Sequence, residues 1–491
     1  MPARTGDEYL KGLRETTRDL WLGSERVDAV ADHPLLAGGA QAIADYYDLH
    51  HAHPDELLMP DPETGEPISV SHLLPTSTED LHRRGVALTR IAELSMGTMG
   101  RTPDYMNVTF AGFAQDRHRW AGPDGMNDEG YENLVAFQQR LRRDDVSLTH
   151  TIVNPSIDKA TDYTFGDHPV VPLHKVDETA DSIIVCGGRT LATLAPFADE
   201  SAIYPGRPLP PDTPPEYSLA FTVRLDAPGL LFLCRDSGSR VAPPFDAPFS
   251  TKYDEQDAYC IFDHVEIPKR DVWIDAKPEV YNAVMFNSPW WANIMQQTTL
   301  RAITKLEFAY ALAARMADMV NDTSDATVVQ LGEIQTYAET ARAALVAAVA
   351  EAVTWEDGNV TPNPRYMHPM RSLLPAWFVR VSDIFKEVGG GKMLAAPSRG
   401  QLDDERVAAL IDTYLPGAKG VTGEERAAVF KLAWDFVGST FGSRNELYER
   451  NYLGSTTLNR LMSHRLYSGP TRARGDELVD RFLADARDRG M

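Results

Sequence analysis

Residues 217–234, YSLAFTVRLDAPGLLFLC, distinguish this chain from an all-helical protein. Two short runs of β-branched and aromatic residues flank Asp226, Pro228 and Gly229, a pattern typical of neighbouring strands joined by a turn. Similar runs of β-branched and aromatic residues occur at Ser182–Val185 and Tyr259–Phe262. The sequence therefore predicts a β-rich region over residues 151–274.

Helical signals lie on both sides of this region. Residues 297–320 place apolar side chains, such as Leu300, Ile303 and Leu312, at helical spacing. Thr76–Glu79 and Thr422–Glu425 match the capping box that opens a helix. The predicted fold class is α+β and mainly α, with helical residues 1–150, β-rich residues 151–274 and helical residues 275–491.

Charge and composition exclude several classes of partner. The chain has 491 residues and a net charge of −23, which disfavours binding to nucleic acid or to anionic membrane surfaces. Its three cysteines lack the spacing of a disulfide framework or of a metal site, so no metal is predicted. The charged N-terminus lacks a secretory signal, and no segment is long and apolar enough to span a bilayer. We expect a cytoplasmic protein.

Neither the GxGxxG nor the GxxxxGK[ST] fingerprint occurs, so no nicotinamide site is predicted. Two local clusters remain: Arg101–Tyr105, RTPDY, where Pro103 begins a new segment, and Thr149–Pro155, THTIVNP. Each also has a structural interpretation, as a surface arginine beside a half-buried tyrosine and as a buried structural histidine. Residues 204–215 hold six prolines and predict a stiff, extended loop.

Six stretches in a fixed order carry a family resemblance. They are GRTPDYMNVTFAGFA (100–114), THTIVNPSIDKA (149–160), VCGGRTLATLAP (185–196), PPFDAPFSTKYDEQDA (243–258), FDHVEIPKRDVWI (262–274) and FGSRNELYERNYLG (441–454). Together they resemble the 4-hydroxyphenylacetate 3-hydroxylase family, the oxygenase components of two-component, FADH2-dependent phenol hydroxylases. The resemblance extends from about residue 6 to about residue 470, nearly the whole chain.

The resemblance implies an acyl-CoA-dehydrogenase-like fold. Its parts are an N-terminal helical domain (1–150), a central β-barrel (151–274) and a C-terminal helical bundle (275–491) that assembles a homotetramer. The implied reaction is ortho-hydroxylation of a para-substituted phenol to a catechol by O2 and reduced FAD, through a C4a-hydroperoxyflavin. A separate NAD(P)H:flavin reductase supplies the FADH2. The implied substrate is 4-hydroxyphenylacetate, a tyrosine-like phenol or a carrier-tethered tyrosine derivative.

The resemblance also assigns site residues. Arg101, Tyr105 and His150 surround the phenolic oxygen as catalytic and substrate-binding groups, and Gly206 and Arg207 contact the substrate from the loop at 204–215, which acts as a lid. The predicted flavin contacts are Thr151, Ile152, Ser156, Ile157, Asp158, Lys159, Thr193, Gly454, Ser455, Thr456 and Thr457. Arg207 stands where a small polar residue is expected, which leaves the identity of the phenol open.

Three alternatives remain beside this interpretation. The same fold supports desaturation of an acyl thioester by oxidised flavin, which needs a carboxylate base rather than an Arg, Tyr and His set. An iron–sulfur hydroxyacyl-CoA dehydratase needs cysteines in its N-terminal domain, whereas the first cysteine here is Cys186. A non-catalytic assembly protein needs none of Arg101, Tyr105 and His150.

Overall fold

In the computed structural model, which describes residues 3–157, 168–285 and 288–490, helices form most of both ends of the chain. The helices of the first part are α1 (Gly6–Glu15), α2 (Ala37–Ala52), α3 (Pro54–Leu57), α4 (Thr78–Glu93), α5 (Pro103–Ala114), α6 (Arg117–Trp120) and α7 (Asp128–Asp144). Its strands are β1 (Asp19–Leu22), β2 (Glu25–Arg26), β3 (Leu58–Pro60), β4 (Pro67–Ser69) and β5 (Leu148–Thr151).

Strands form the centre of the chain and helices the C-terminal part. The central strands are β6 (His174–Glu178), β7 (Ser182–Thr193), β8 (Glu200–Ile203), β9 (Leu219–Arg224), β10 (Leu230–Cys234), β11 (Asp257–Pro268) and β12 (Val272–Asp275). The last part contains α8 (Pro278–Ala283), α9 (Pro289–Met319), α10 (Asp325–Ala350), β13 (Val353–Thr354), β14 (Val360–Thr361), α11 (Pro364–Met367), α12 (Met370–Gly389), α13 (Gly391–Leu394), α14 (Arg399–Leu402), α15 (Glu405–Tyr414), α16 (Gly423–Val437), α17 (Thr440–Asn451), α18 (Thr456–Tyr467) and α19 (Gly469–Asp488).

The predicted class, mainly helical α+β, is confirmed, but the central strands do not close into the expected barrel. They form two open sheets, in the orders β2-β1-β10-β11-β7-β6 and β12-β9-β8-β5. One edge strand, β6, reads HKVDE and is largely exposed, and such a charged edge resists further pairing. The other edge strand is β2, and its neighbour β1, from the N-terminal part, pairs in parallel with β10. The three-part division at residues 150 and 274 stays a prediction. β5 extends across the first of these boundaries.

Strand pairing and helix packing position the site. β5 runs parallel to β8, which places His150 opposite Ala202 and brings Tyr204 next to the end of β5. Buried side chains of α5, β5, β8 and β12 share one apolar core with Trp273. A second core fills the C-terminal helices, around α9, α12 and α16.

The two predicted capping boxes differ in outcome. The Thr422 hydroxyl accepts the backbone N–H of Glu425, and the Glu425 carboxylate accepts the backbone N–H of Thr422, so α16 begins where predicted. α4 begins one residue later than predicted, because Ser77 rather than Thr76 is its N-cap and accepts from Asp80. Along the described ranges, no helix combines the length and apolar character needed to cross a bilayer.

Candidate active site

Arg101, Tyr105 and His150 come together at the start of α5. Pro103 occupies the first turn of α5, where its missing N–H costs nothing, and Arg101 lies just before that turn. The Arg101 guanidinium stacks 4.0 Å from the centre of the Tyr105 ring. His150 lies on β5, and the centre of its ring is 5.6 Å from the centre of the Tyr105 ring. Residues separated by about 50 positions thus form one cluster of a cation, a phenol and an imidazole.

His150 is a neutral base in this environment. Burial, and secondly the charge of Arg101, hold the pKa of its imidazole well below the usual range. Its Nδ1 lies 3.0 Å from the Met106 sulfur. A thioether has no proton to give, so this contact is a hydrogen bond only when Nδ1 carries the proton. Nε2 is then the lone-pair nitrogen and can accept a proton from a ligand.

Aromatic rings enclose the Arg101 guanidinium. Besides Tyr105, the rings of Tyr448 and Tyr452 lie 5.5 and 5.6 Å from it. Burial opposes the charge of Arg101, but the nearby Tyr oxygens and Glu255 outweigh it, and its pKa lies above its ordinary value. Arg101 is therefore a permanent cation in a half-buried position.

Two tyrosine hydroxyls at this site lack partners. The buried Oη atoms of Tyr204 and Tyr448 form no hydrogen bond with the described residues. The Tyr204 ring lies 5.5 Å from His150, and Tyr448 and Tyr452 stack on each other. A buried hydroxyl without a partner is costly unless a ligand or water satisfies it, so these groups indicate a polar ligand beside Arg101.

The flavin contacts predicted after His150 have different environments. The Thr151 hydroxyl donates to the carbonyl of Thr190, and Ile152 is half-buried. Ser156 and Ile157 are exposed, and Asp158 and Lys159 lie outside the described residues. The Thr193 hydroxyl donates to Asp257 at 2.6 Å, so it can only accept a hydrogen bond from a ligand.

The second group of predicted flavin contacts, Gly454–Thr457, lies at the N-terminus of α18. Gly454 has φ +80°, and Ser455 caps the helix, where backbone N–H groups have no partner within the helix. A Cβ on Gly454 would lie 3.6 Å from the guanidinium of Arg371. Within the described ranges, no carboxylate lies within 4.0 Å of Arg371, which stacks on Trp291 and donates to the Leu453 carbonyl. These donors can bind an anion.

The loop at residues 204–215 has no helix or strand between Tyr204 and Pro214, and the structure fixes it at two points. Tyr204 is fully buried, and Leu209 exchanges backbone hydrogen bonds with the Asn282 side chain of α8. Gly206 and Arg207 are exposed. A Cβ on Gly206 would come within 2.6 Å of the Ile152 carbonyl, so Gly206 touches the segment that follows His150.

Tyr204, Tyr448, Tyr452 and Arg371 were not predicted as site residues. Tyr448 and Tyr452 stand four residues apart on one face of α17 and its end, and this i, i+4 spacing in YERNYLG is the signal available in the sequence. Tyr204 reaches the site only because β8 pairs with β5, which no local pattern reveals.

Two other features lie apart from this cluster. A cavity of about 610 Å³ lies between α4, α9 and α10, and none of the predicted site residues lines it. In the described part of the chain, Cys186, Asp263 and His264 bring potential metal-ligand atoms within 4.8 Å of one another. The absence of a metal stays a prediction.

Two family models match nearly the whole chain. The model for the 4-hydroxyphenylacetate 3-hydroxylase N terminal matches residues 5–274, and that for the C terminal matches residues 281–484. The chain is 31% identical to the 4-hydroxyphenylacetate 3-monooxygenase oxygenase component of Thermus thermophilus, over 99% of this chain and 98% of the relative.

A relative from Streptomyces globisporus is 30% identical, over 93% of this chain and 86% of its own. It is a (3S)-3-amino-3-(3-chloro-4-hydroxyphenyl)propanoyl-[peptidyl-carrier protein SgcC2] monooxygenase. A solved oxygenase component of 4-hydroxyphenylacetate 3-monooxygenase, complexed with FAD and 4-hydroxyphenylacetate, superposes with a TM-score of 0.92 at 30% identity. The alignment covers 98% of this chain and 99% of that one, which confirms the implied fold apart from the closed barrel.

Proposed function

Because this chain belongs to the 4-hydroxyphenylacetate 3-hydroxylase family, we propose that it is the oxygenase component of a two-component aromatic monooxygenase. It uses reduced FAD and O2 to hydroxylate a para-substituted phenol at the carbon ortho to the hydroxyl. The observation that carries this proposal is the buried cluster of a permanent cation, a neutral imidazole and a phenol at Arg101, His150 and Tyr105.

The cluster activates a phenol by stabilising its ionised form. A free phenol has a pKa of about 10 and is mostly protonated at neutral pH. His150 Nε2 accepts the phenolic proton, while the Arg101 guanidinium stabilises the negative charge left on the oxygen. Tyr105 contributes a second hydrogen bond to that oxygen. The resulting electron density at the ortho carbon favours attack on an electrophilic oxygen atom.

The residues present fit FAD. When bound in its reduced form, FAD supplies the electrons that activate O2 for transfer of one oxygen atom. The N-terminus of α18 and Arg371 offer backbone N–H groups and an uncompensated cation, the donor set that a pyrophosphate requires. The proposal also assigns to FAD the Thr151–Ile157 segment, which follows His150, and Thr193, whose carbonyl accepts the Thr149 hydroxyl.

The partners follow from the same assignment. A separate NAD(P)H:flavin reductase supplies FADH2, the protein assembles as a homotetramer, and it acts in the cytoplasm. The loop at 204–215 acts as a lid, in which Gly206 approaches the segment after His150 and Arg207 faces the substrate entrance. The substrate is 4-hydroxyphenylacetate, a tyrosine-like phenol or a carrier-tethered tyrosine derivative.

The carboxylate nearest to Arg101 does not favour the desaturase alternative. Both oxygens of Glu255 are engaged, one by the backbone N–H groups of Gly100 and Arg101 and the other by Arg444. A carboxylate held in this way is a poor base for a substrate α-carbon.

Rapid mixing tests the proposal. Anaerobic protein with FADH2 is mixed with oxygenated buffer, with and without a panel of para-substituted phenols, and catechol and hydrogen peroxide are quantified. We expect one phenol class to yield its catechol and to suppress peroxide. Reoxidation of FADH2 at its rate in free solution, without catechol from any phenol, contradicts the proposal. Bleaching of oxidised FAD by an acyl-CoA without O2 would instead support desaturation.

A further inference from the structure

A chain of buried polar groups connects the two ends of the active site. It begins at Glu255, which is 1% exposed and precedes β11. Glu255 Oε1 accepts the backbone N–H groups of Gly100 and Arg101, at 2.8 and 2.7 Å. Its Oε2 accepts from Nη1 of Arg444 on α17, at 3.1 Å. One carboxylate therefore joins the backbone that carries Arg101 to the C-terminal helices.

The chain continues from Arg444 to β5. Arg444 donates from Nε and Nη2 to the two carboxylate oxygens of Asp257, at 2.9 and 2.7 Å. Asp257 also accepts the Thr193 hydroxyl, and the Thr193 carbonyl accepts the hydroxyl of Thr149, the residue before His150. No step of the path from Arg101 to the neighbour of His150 requires water.

Charge makes these links strong. Burial alone would raise the pKa of the Asp257 carboxyl, but Arg444 and Arg235 lower it to about 2. Asp257 is therefore ionised at neutral pH, and hydrogen bonds to ionised groups are shorter and stronger than neutral ones. The side chains of Arg444, Glu255 and Asp257 are 11, 1 and 6% exposed, so little water is available to replace a partner that one link loses.

Tyr448, one helical turn after Arg444 on α17, supports the same junction. Its ring fills the space beside Gly100, where a Cβ would lie 2.1 Å from the Tyr448 Oη. α17 thus contacts the start of α5 directly through Tyr448 and indirectly through Arg444 and Glu255.

We propose that Glu255 and Arg444 are positioning residues, which fix the Arg101 guanidinium relative to His150 so that both meet one phenolic oxygen. This proposal rests on the proposed function, because the relative position of Arg101 and His150 matters only if both bind the same phenolic oxygen. Glu255 acts through the backbone of Arg101 and does not touch the substrate itself.

The decisive variant is Glu255→Gln. Glutamine keeps the size of the side chain, but its single carbonyl oxygen cannot accept both backbone N–H groups and Arg444. Its NH2 group must then face either a guanidinium or a backbone N–H. Misplacement of a catalytic group by about 1 Å lowers rates by about 10²-fold, so we expect catechol formation to fall by about 10- to 100-fold.

Asp254→Asn is the matched control. Asp254, next to Glu255 in sequence, is 4% exposed and also accepts two backbone N–H groups, those of Gly238 and Ser239, and a guanidinium, that of Arg235. Arg235 also donates to Asp257 and to the Glu255 carbonyl, so Asp254 supports the same network, but it bonds to neither Gly100 nor Arg101. The two variants therefore suffer a similar chemical loss in similarly buried surroundings, and only Glu255→Gln alters the hydrogen bonds to the backbone of Gly100 and Arg101.

The readout is the ionisation of bound 4-nitrophenol, followed by absorbance as a function of pH at saturating protein. In the wild-type protein the apparent pKa of the bound phenol should lie below its value in water. We expect Glu255→Gln to raise the apparent pKa of the bound phenol by about one pH unit and Asp254→Asn to raise it by clearly less, with similar losses of thermal stability in both.

Each outcome has a separate meaning. If Glu255→Gln matches Asp254→Asn in both phenol pKa and catechol yield, Glu255 is only structural and the inference is overturned. If the wild-type protein does not lower the pKa of the bound phenol, and no panel phenol is hydroxylated, the proposed function fails before the variants are compared.

Discussion

Hydroxylation by this protein should not weaken between about pH 8 and pH 5.5 through titration of His150, because burial and Arg101 keep the pKa of its imidazole well below the usual range. An imidazole of ordinary pKa, about 6.5, would be about nine-tenths protonated at about pH 5.5, and a rate that needs its neutral form would fall about tenfold. We expect the single-turnover rate of catechol formation, at saturating phenol and FADH2, to fall by much less than tenfold over that range.

Two variants calibrate this expectation. His150→Gln removes the acceptor that takes the phenolic proton, and general-base catalysis is worth about 10²- to 10⁴-fold in rate. Met106→Leu removes only the sulfur that accepts the His150 Nδ1–H, a contact worth about 0.3–1.5 kcal/mol. We therefore expect Met106→Leu to lower the rate of catechol formation by only about 2- to 10-fold.

The refuting result is a tenfold fall centred near about pH 6.5 that disappears in His150→Gln, since an exposed, ordinary histidine behaves in that way. Near-UV circular dichroism at each pH shows whether the protein stays folded. Loss of rate with loss of that signal reports unfolding, and such points are removed before the profile is fitted.

Three further predictions concern stability and coupling. Glu449→Gln should lower the apparent Tm several times more than Lys305→Met, because it leaves two buried cations without a counter-charge, a loss of about 3–5 kcal/mol; equal decreases would contradict this. Acidification below about pH 6.5 should lower the apparent Tm, since unfolded His72 binds a proton that the folded residue, with a pKa of about 3, does not bind. His72 contributes about 1.4 kcal/mol per pH unit to this slope, so His72→Phe should make the slope shallower by about that amount, while His50, His150 and His368, whose pKa values burial also lowers, keep the rest. Gly206→Ala should lower the ratio of catechol to peroxide, because its Cβ meets a backbone carbonyl at 2.6 Å, whereas Gly332→Ala, with open space around it, should not.

The local patterns of the sequence predicted most of the secondary structure. The capping box at Thr422 and the apolar periodicity after residue 297 depend on neighbours within one or two turns, so both are readable without the fold. The start of α4 was misplaced by one residue, because Thr76 and Ser77 are both competent caps and tertiary packing selects one of them.

The expected barrel failed for a different reason. Whether a set of strands closes into a barrel depends on which segments pair with its outer strands. Here β10 pairs with β1, from the first 25 residues of the chain, and the edge strand β6 on the opposite side of the sheet is charged. Strand composition carries information about pairing propensity but none about which distant segment supplies the partner.

The sequence by itself determined the helical and β-rich parts of this protein and, through the order of its motifs, the family; it also predicted Arg101, Tyr105 and His150 as site residues. Only the tertiary structure decided that His150 is a neutral base, that Tyr204 and Tyr448 enclose the same site, and that Glu255 and Arg444 join its two ends. The physical reason is that residue type fixes what a side chain can donate or accept, whereas pKa, burial and partners depend on groups that lie about 50 to 350 positions away along the chain.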